Sequence, residues 1–347
     1  MDRTRTTALA TVCMLALSLP ITAATSAFAS PASSVTRAAT PAASNASQVS
    51  AELPRPTGPH AVGRSILHLV DEHRQDPWVP AAGARQLMVS MYYPARPRTG
   101  GPAPYMTKDE ARLLLQGKAP GSQPSDRLSA VRTWAHTDAT AVHGKFPLVV
   151  LSPGFTLPRG TLSGPAEDLA SRGCVVALAD HTYESTGTTF PDGRTLPCAI
   201  CDHPPAGGPG VIEESRAKDV SFVLDQLTGR HPAWRYAHMI DAGRIAMAGH
   251  SLGGAASAVT MAADQRVRAG INLDGRFFAP VPDTGLNGSP FLMFGEQTSD
   301  QDTTPPPRPT RRSPSACPDV RGCDARWPRY GSALRPESDA GPHGPGP

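Results

Sequence analysis

The stretch that decides the fold is RIAMAGHSLGGAASAVTMAA, residues 244–263. It begins with a strand-like apolar run, and it ends with a small, apolar segment, Leu252–Ala263, that is typical of a helix buried beneath a sheet. Between them lies Gly-x-Ser-x-Gly centred on Ser251, with glycines that permit close backbone approach. In this context the pattern predicts a strained turn that exposes the Ser251 hydroxyl above the sheet edge.

Outward from this stretch, apolar runs bounded by Gly or Pro alternate with helix-like segments. Near-continuous apolar runs of this length suit central strands that are covered on both faces. The predicted strands are Leu87–Tyr93, Phe146–Leu151, Cys174–Ala179, Arg244–Ala248, Val267–Leu273 and Phe291–Phe294, and the predicted helices include Leu162–Arg172, Ser215–Leu227 and Leu252–Ala263. This alternation predicts an α/β-hydrolase fold, with a mostly parallel central sheet and helices on both faces.

A serine hydroxyl becomes an effective nucleophile only with a base and with donors for the tetrahedral oxygen. In this fold one donor is the backbone N–H after the nucleophile, here Leu252, at a helix N-terminus that favours negative charge. The run LVVLSPGFT places Gly154 and Phe155 after an earlier strand. We predict that Gly154 permits the turn that directs the Phe155 N–H. The alternative is an ordinary Pro-Gly turn.

The acid of a triad is expected at the end of a strand that follows the nucleophile. Asp274 follows the run Val267–Leu273, and the alternative is that Asp274-Gly275 forms only a turn. Among 11 histidines, His343 alone comes after Asp274, in a Gly/Pro-rich segment. A disordered histidine would not be held near Ser251, so the sequence leaves the base unassigned.

Composition and termini set the expected location and partners. The formal charge of +3 comes without a long basic run, which excludes the clustered cations that nucleic-acid binding needs. Arg3, Arg5, an apolar stretch and Ala27-Phe28-Ala29 predict a signal peptide and secretion. The predicted organisation is a signal peptide (1–29), a disordered leader (30–58), a hydrolase domain (59–301) and a disordered tail (302–347).

The segment after the last predicted strand lacks the means to complete the sheet. Residues 301–347 contain 11 Pro and 7 Arg, and Val320 and Leu334 are their only branched aliphatic residues. We therefore expect a missing C-terminal strand and helix, and we hypothesise a shifted reading frame. The polar insertion Gly100–His143, with a helix near Lys108–Gln116, is either a cap over the site or a surface excursion.

Cysteine spacing suggests a local crosslink. Cys198 and Cys201 lie in PCAIC, in a loop rich in Pro and Gly, and export would permit a small disulfide between them. A zinc site would need more ligands than the neighbouring His203 provides. We therefore predict no metal and no cofactor.

The blocks PLVVLSPGFT, LASRGCVVALADH, GHSLGGAASAV and INLDG, with the front segment HLVDEHRQDPW…LMVSMYYPA, resemble the secreted bacterial relatives of the platelet-activating factor acetylhydrolases of the isoform II type. The resemblance runs from about Val62 to Gln301. It implies a calcium-independent serine esterase with Ser251 as nucleophile, Asp274 as acid, and Phe155 and Leu252 at the oxyanion positions. The family's histidine loop and closing helix have no match in this chain.

The residues predict a secreted esterase that cleaves short acyl esters, and the resemblance implies the sn-2 acetyl ester of phospholipids as one such substrate. Its partner would be a small-molecule or lipid ester, with at most transient contact with a lipid surface and no nucleic acid. A cutinase-like polyester hydrolase is a related alternative. The non-enzymatic alternatives are an inactive, truncated pseudoenzyme and a lipid-binding module that uses the same pocket.

Overall fold

The computed structural model describes residues 51–121, 124–283, 285–286 and 288–295. The predicted signal peptide, most of the predicted leader and the predicted tail, including His343, lie outside these residues. The statements below concern the described part of the chain.

The centre of the molecule is a nine-stranded sheet in the order β11-β10-β9-β5-β6-β2-β1-β4-β3. Strands β11, β10, β9, β5 and β6 run parallel to one another, whereas β2 pairs antiparallel with β6 and with β1. The strands are β1 (Ala61–Gln75), β2 (Ala84–Ala95), β3 (Gly101–Pro104), β4 (Arg132–Thr137), β5 (Phe146–Ser152), β6 (Val175–His181), β9 (Ile240–His250), β10 (Val267–Leu273) and β11 (Phe291–Phe294), with a separate hairpin of β7 (Thr188–Thr189) and β8 (Thr195–Leu196).

Helices cover both faces of the sheet. They are α1 (Lys108–Lys118), α2 (Ser125–Ser129), α3 (Ser163–Ser171), α4 (Pro209–Thr228) and α5 (Leu252–Ala263). Successive side chains of a strand point to opposite faces of the sheet, so one strand contributes side chains to the hydrophobic cluster on each face. On β5, Val150 packs in the cluster that contains residues of α4 and α5, and Leu151 packs with residues of α3. The predicted α/β-hydrolase architecture is confirmed.

The insertion at residues 100–143 adds strands to the sheet, which neither sequence alternative included. Its strand β4 pairs parallel with β1, and β3 pairs with β4. The predicted helix is present as α1, and a reciprocal capping box between Thr107 and Glu110 starts it. The two strands escaped notice because they are short and lack the apolar runs that mark central strands: β3 is rich in Pro and Gly, and β4 is mostly polar.

Part of the stretch assigned to the leader contacts the domain. The N–H of Leu53 donates to the Arg132 carbonyl (2.9 Å), and the N–H of Gly58 donates to the Ser171 hydroxyl (2.9 Å). Contacts with the hydrolase domain therefore begin before residue 59. The low apolar content that suggested disorder is offset by hydrogen bonds, which composition does not reveal.

The topology locates the functional edge of the sheet. From β5 the chain passes to β6 on one side, whereas β9 lies on the other side of β5. Ligands of open α/β sheets bind beyond the carboxyl ends of the strands at such a switch point. At the sheet's end, β11 pairs only with β10 among the described strands, and Leu292 and Phe294 are 45% and 56% exposed.

Within the described part of the chain, no helix combines the length and the apolarity that a bilayer span requires.

Candidate active site

Ser251 lies in a sharp turn between β9 and α5. Its backbone has φ 52° and ψ −125°, and it immediately precedes the first residue of α5. A positive φ is uncommon for a non-glycine residue, and such strain concentrates at functional sites. The side chain is half-buried at the carboxyl edge of the sheet. This is the strand–turn–helix geometry that the sequence predicted.

Two glycines make this turn possible by close approach. A Cβ at Gly249 would lie 2.3 Å from the Gly253 carbonyl carbon, and a Cβ at Gly253 would lie 2.1 Å from the Ser152 carbonyl oxygen. Both distances are far below contact between non-bonded atoms. The start of α5 therefore packs directly on the end of β5, which is possible only without side chains.

Replacing Gly253 with alanine is expected to lower the free energy of unfolding by about 1–3 kcal/mol, because the new methyl group overpacks a backbone contact. The matched control is Gly164→Ala in α3, where a Cβ meets nothing within 4 Å. That control should be neutral or stabilising by up to about 1 kcal/mol. Urea denaturation of both variants measures the difference, and equal stabilities would contradict the packing argument.

The predicted acid, Asp274, lies beside the turn that carries Ser251. Asp274 is exposed and follows β10 with φ 57°. The N–H of Ser251 donates to the Leu273 carbonyl (2.8 Å), and the N–H of Asp274 donates to the Phe294 carbonyl (2.7 Å). Hydrogen bonds thus link the turns that carry Ser251 and Asp274 to each other and to β11.

A buried amide supports the turn at Asp274, and sequence reasoning missed it. The Asn272 amide donates to the Gly275 carbonyl (2.7 Å), and the Gly275 N–H donates to the Asn272 side-chain oxygen (2.8 Å). Asn272 is fully buried. The only available signal was a polar residue between two apolar ones, Ile271 and Leu273, at the end of the strand.

The proposed oxyanion residues occupy one corner of the site. Phe155 follows β5, Leu252 starts α5, and their side chains belong to one apolar cluster. Leu252 is the first residue of α5, so its N–H has no acceptor within the helix. Among the described residues, none accepts a hydrogen bond from the Phe155 N–H. Both amides are therefore available as donors.

The structure gives Gly154 a steric role in this loop. Gly154 is not among the described residues with positive φ, whereas Thr156 has φ 70°. A Cβ at Gly154 would lie 2.9 Å from Nδ1 of His250. Gly154 therefore makes room for the His250 ring, and the unusual backbone conformation of the loop falls on Thr156.

The apolar cluster extends from the oxyanion corner to the predicted disulfide loop. Cys198 and Cys201 are bonded, with sulfur atoms 2.04 Å apart. Cys198 and the half-buried side chains of Trp78 and Phe155 pack against the buried cluster that contains Ile200 and Leu252. An apolar wall therefore stands next to the two backbone donors.

A second serine, histidine and aspartate lie together below the surface. Oγ of Ser152 is 2.9 Å from Nε2 of His181, and Nδ1 of His181 is 2.8 Å from the Asp219 carboxylate. This is the hydrogen-bond order of a hydrolytic triad. Ser152 and Asp219 are 0% exposed and His181 is 1% exposed, so an ester cannot reach them. His181 is therefore committed to Ser152 and Asp219.

Buried arginines determine the charges in this network. Burial, together with the nearby Arg216 guanidinium, lowers the pKa of His181. Burial alone would raise the pKa of Asp219, but Arg85 and hydrogen bonds hold that pKa well below its usual range. His181 is thus neutral near pH 7: its Nδ1–H donates to Asp219, and its Nε2 accepts from the Ser152 hydroxyl.

His181, Glu184 and Asp219 could hold a metal by residue type, since their ligand atoms lie within 4.8 Å of one another. Arg85 and Arg216 already form ion pairs with these carboxylates. Two buried guanidinium groups make a further cation at this position unfavourable. The cluster is therefore an ion-pair network.

The sheet topology, the sharp turn at Ser251 and the turn at Asp274 beside it define an α/β-hydrolase. A solved ferulic acid esterase from Streptomyces cinnamoneus is similar, with a TM-score of 0.64 and 46% identity over 71% of this chain and 68% of that chain. The family model described as platelet-activating factor acetylhydrolase, isoform II, matches residues 45–193 and 224–294. The chain therefore belongs to that family.

Two curated relatives show the range of named activities. A probable 1-alkyl-2-acetylglycerophosphocholine esterase of Arthroderma benhamiae is 30% identical over 270 residues, which are 71% of this chain and 65% of the relative. A bis(hydroxyethyl) terephthalate hydrolase of Streptomyces coelicolor is 30% identical over 164 residues, 46% of this chain and 42% of the relative. The chain spans less than two thirds of both relatives.

Proposed function

We propose that this chain is a serine hydrolase of carboxylic esters with short acyl groups. The observation that carries the proposal is the position of Ser251, half-buried in a strained turn at the carboxyl edge of the sheet. The available N–H groups of Leu252 and Phe155 flank the same switch point, and Asp274 ends the next strand. Nucleophile, anion donors and acid are thus supplied by three adjacent strand ends.

The reaction follows from these roles. Oγ of Ser251 bonds to the ester carbonyl carbon while its proton passes to a general base, which the sequence leaves unassigned and which Asp274 would orient. The carbonyl oxygen becomes an anion, and the N–H groups of Phe155 and Leu252 stabilise it. When the intermediate collapses, the alcohol leaves with the proton. Water then repeats the sequence on the acyl-enzyme and releases the acid.

The apolar wall favours a small acyl group, either acetyl or a single aromatic ring. Trp78, Phe155 and Ile200 form a compact cluster beside the donors. The relatives are named for an acetyl ester, a terephthalate ester and, by the solved structure, ferulic acid. A phospholipid acetyl ester remains our candidate natural substrate, met in transient contact with a lipid surface. A polyester-cleaving enzyme is the second candidate.

Secretion is part of the proposal. The bonded pair Cys198 and Cys201 supports it, because such crosslinks persist in oxidising compartments. Sequencing the N-terminus of protein recovered from the culture medium tests secretion, and a mature chain starting near Ser30 is expected.

The test of function uses the full-length chain and two measurements. A fluorophosphonate probe should label the folded protein covalently, and no labelling would support the inactive alternative. That alternative rests on the absence, after Asp274 in the sequence, of any histidine other than His343.

The second measurement compares kcat/KM for the 4-nitrophenyl esters of acetate, butyrate and palmitate, and for methyl ferulate. We expect kcat/KM for the acetate or the butyrate ester to exceed that for the palmitate ester by at least about tenfold. Methylene groups that do not fit the pocket lower kcat/KM by about that factor. Equal rates for palmitate would contradict a small acyl pocket. A higher kcat/KM for methyl ferulate than for the acetate ester would indicate that the natural acyl group is aromatic.

A further inference from the structure

The loop that follows β5 is held in an unusual conformation from both ends. Its Thr156 has φ 70°, a value that β-branched residues rarely adopt. The N–H of Thr156 donates to the Glu184 carbonyl (2.9 Å), and the N–H of Thr186 donates to the Thr156 carbonyl (2.9 Å). The segment after β6 thus fixes the backbone directly after Phe155.

One guanidinium fixes the backbone before Phe155. Nη1 of Arg216 donates to the Pro153 carbonyl (2.5 Å) and to the Ser152 hydroxyl (3.2 Å). Nε of the same residue donates to the Glu184 carboxylate (2.7 Å). Arg216 therefore joins the loop to the segment that holds its other end. The side chain is 1% exposed, so water does not compete for these bonds.

The partners of Arg216 are themselves immobilised. Ser152 also contacts His181, which contacts Asp219, and Asp219 forms an ion pair with Arg85 at 2.7 Å. The second oxygen of the Glu184 carboxylate accepts from the Trp78 indole N–H (2.9 Å). The network therefore runs from the core to the wall of the proposed acyl pocket.

We propose that Arg216 is a positioning residue that aligns the Phe155 N–H with the developing oxyanion. The proposal rests on the proposed function, because it assigns Arg216 to the same site. A backbone donor stabilises an oxyanion only when it points at the position of the charged oxygen. Arg216 contacts the two residues that precede Gly154, so its loss would release the loop that carries Phe155 without removing any reacting group.

The test compares Arg216→Met and Arg216→Lys with the wild-type full-length chain. For folded Arg216→Met we expect fluorophosphonate labelling and kcat to fall at least about tenfold, a fraction of the effect of deleting an oxyanion donor. KM should change less than about threefold, because ester contacts remain. Arg216→Lys should recover part of kcat, since an ammonium group can still donate to one partner.

Hydrogen exchange supplies a readout that does not require a reactive serine. Amide exchange within residues 153–157 should be faster in Arg216→Met than in wild type. Failure of wild type to be labelled would overturn the proposed function alone, whereas unchanged exchange in the variant would overturn the positioning role. Labelling of folded Arg216→Met within twofold of wild type would also overturn it.

The matched control is Arg266→Met, since Arg266 also pairs with two carboxylates, those of Asp264 and Asp225, at 2.7 Å each. The Arg266→Met variant should be labelled by the fluorophosphonate at the wild-type rate. Its amide hydrogens within residues 153–157 should also exchange at the wild-type rate. If Arg216→Met does not fold, Ser152→Ala removes a single oxygen from the same network. That variant should be labelled about threefold to tenfold more slowly. An unchanged rate in folded Ser152→Ala would overturn the proposal.

Discussion

Replacing Ser251 with alanine is expected to abolish labelling of the folded protein by a fluorophosphonate and to lower ester hydrolysis by at least about a thousandfold. The reason is that Ser251 Oγ supplies the electron pair for the covalent step, and no other group at this turn replaces it. Backbone donors and binding would remain, so a small residual rate is expected. Gel-based probe labelling and initial rates with a 4-nitrophenyl ester measure the two effects.

The matched control is Ser257→Ala, in the helix α5 that begins directly after Ser251. Ser257 is fully buried, and its hydroxyl donates to the Gly254 carbonyl (2.5 Å). The probe cannot reach the Ser257 hydroxyl, so labelling does not depend on it. The Ser257→Ala variant should therefore be labelled like the wild type. Labelling that persists in Ser251→Ala would rule out Ser251 as the nucleophile, whether or not Ser257→Ala loses it.

The second large effect concerns stability. Asp219→Ala is expected to lower the free energy of unfolding by about 3–5 kcal/mol, because it leaves a buried guanidinium without its main partner. Arg85 and Asp219 are both 0% exposed, and their atoms lie 2.7 Å apart. Urea denaturation followed by circular dichroism gives the value.

A carboxylate on the same helix serves as the control. Asp225 pairs with Arg266 at the same 2.7 Å, but its side chain is 63% exposed. Exposed ion pairs contribute at most about 1 kcal/mol, so Asp225→Ala should have a small effect. If the two variants were equally stable, burial would not be the source of the cost.

The sequence was sufficient for six strands of the sheet (β2, β5, β6, β9, β10 and β11), for the turn at Ser251 and for the placement of Asp274. Those features depend on local patterns: apolar runs of strand length, a helix start at Leu252, and glycines at fixed offsets. Each of these patterns extends over no more than about 20 consecutive residues. The fold class was therefore predictable from short-range information.

The buried ion network was not predictable, because its members come from different elements. Arg85 lies on β2, His181 on β6, and Asp219 lies on α4. In the sequence each looks like an ordinary charged or polar residue. Only the packing of α4 over the sheet brings them together. Because they are buried there, their charged groups must be paired with groups of opposite charge. The role of Arg216 was hidden for the same reason.

The strands contributed by the insertion limit how this chain can be recombined with its relatives. The buried Glu167 carboxylate on α3 accepts the backbone N–H groups of Trp134 (3.2 Å) and Ala135 (3.0 Å) on β4. A chimera in which residues 100–143 came from another family member would have to reproduce those two amides, or leave a carboxylate without donors in the protein interior. The insertion is thus an integral part of the scaffold and not an exchangeable module.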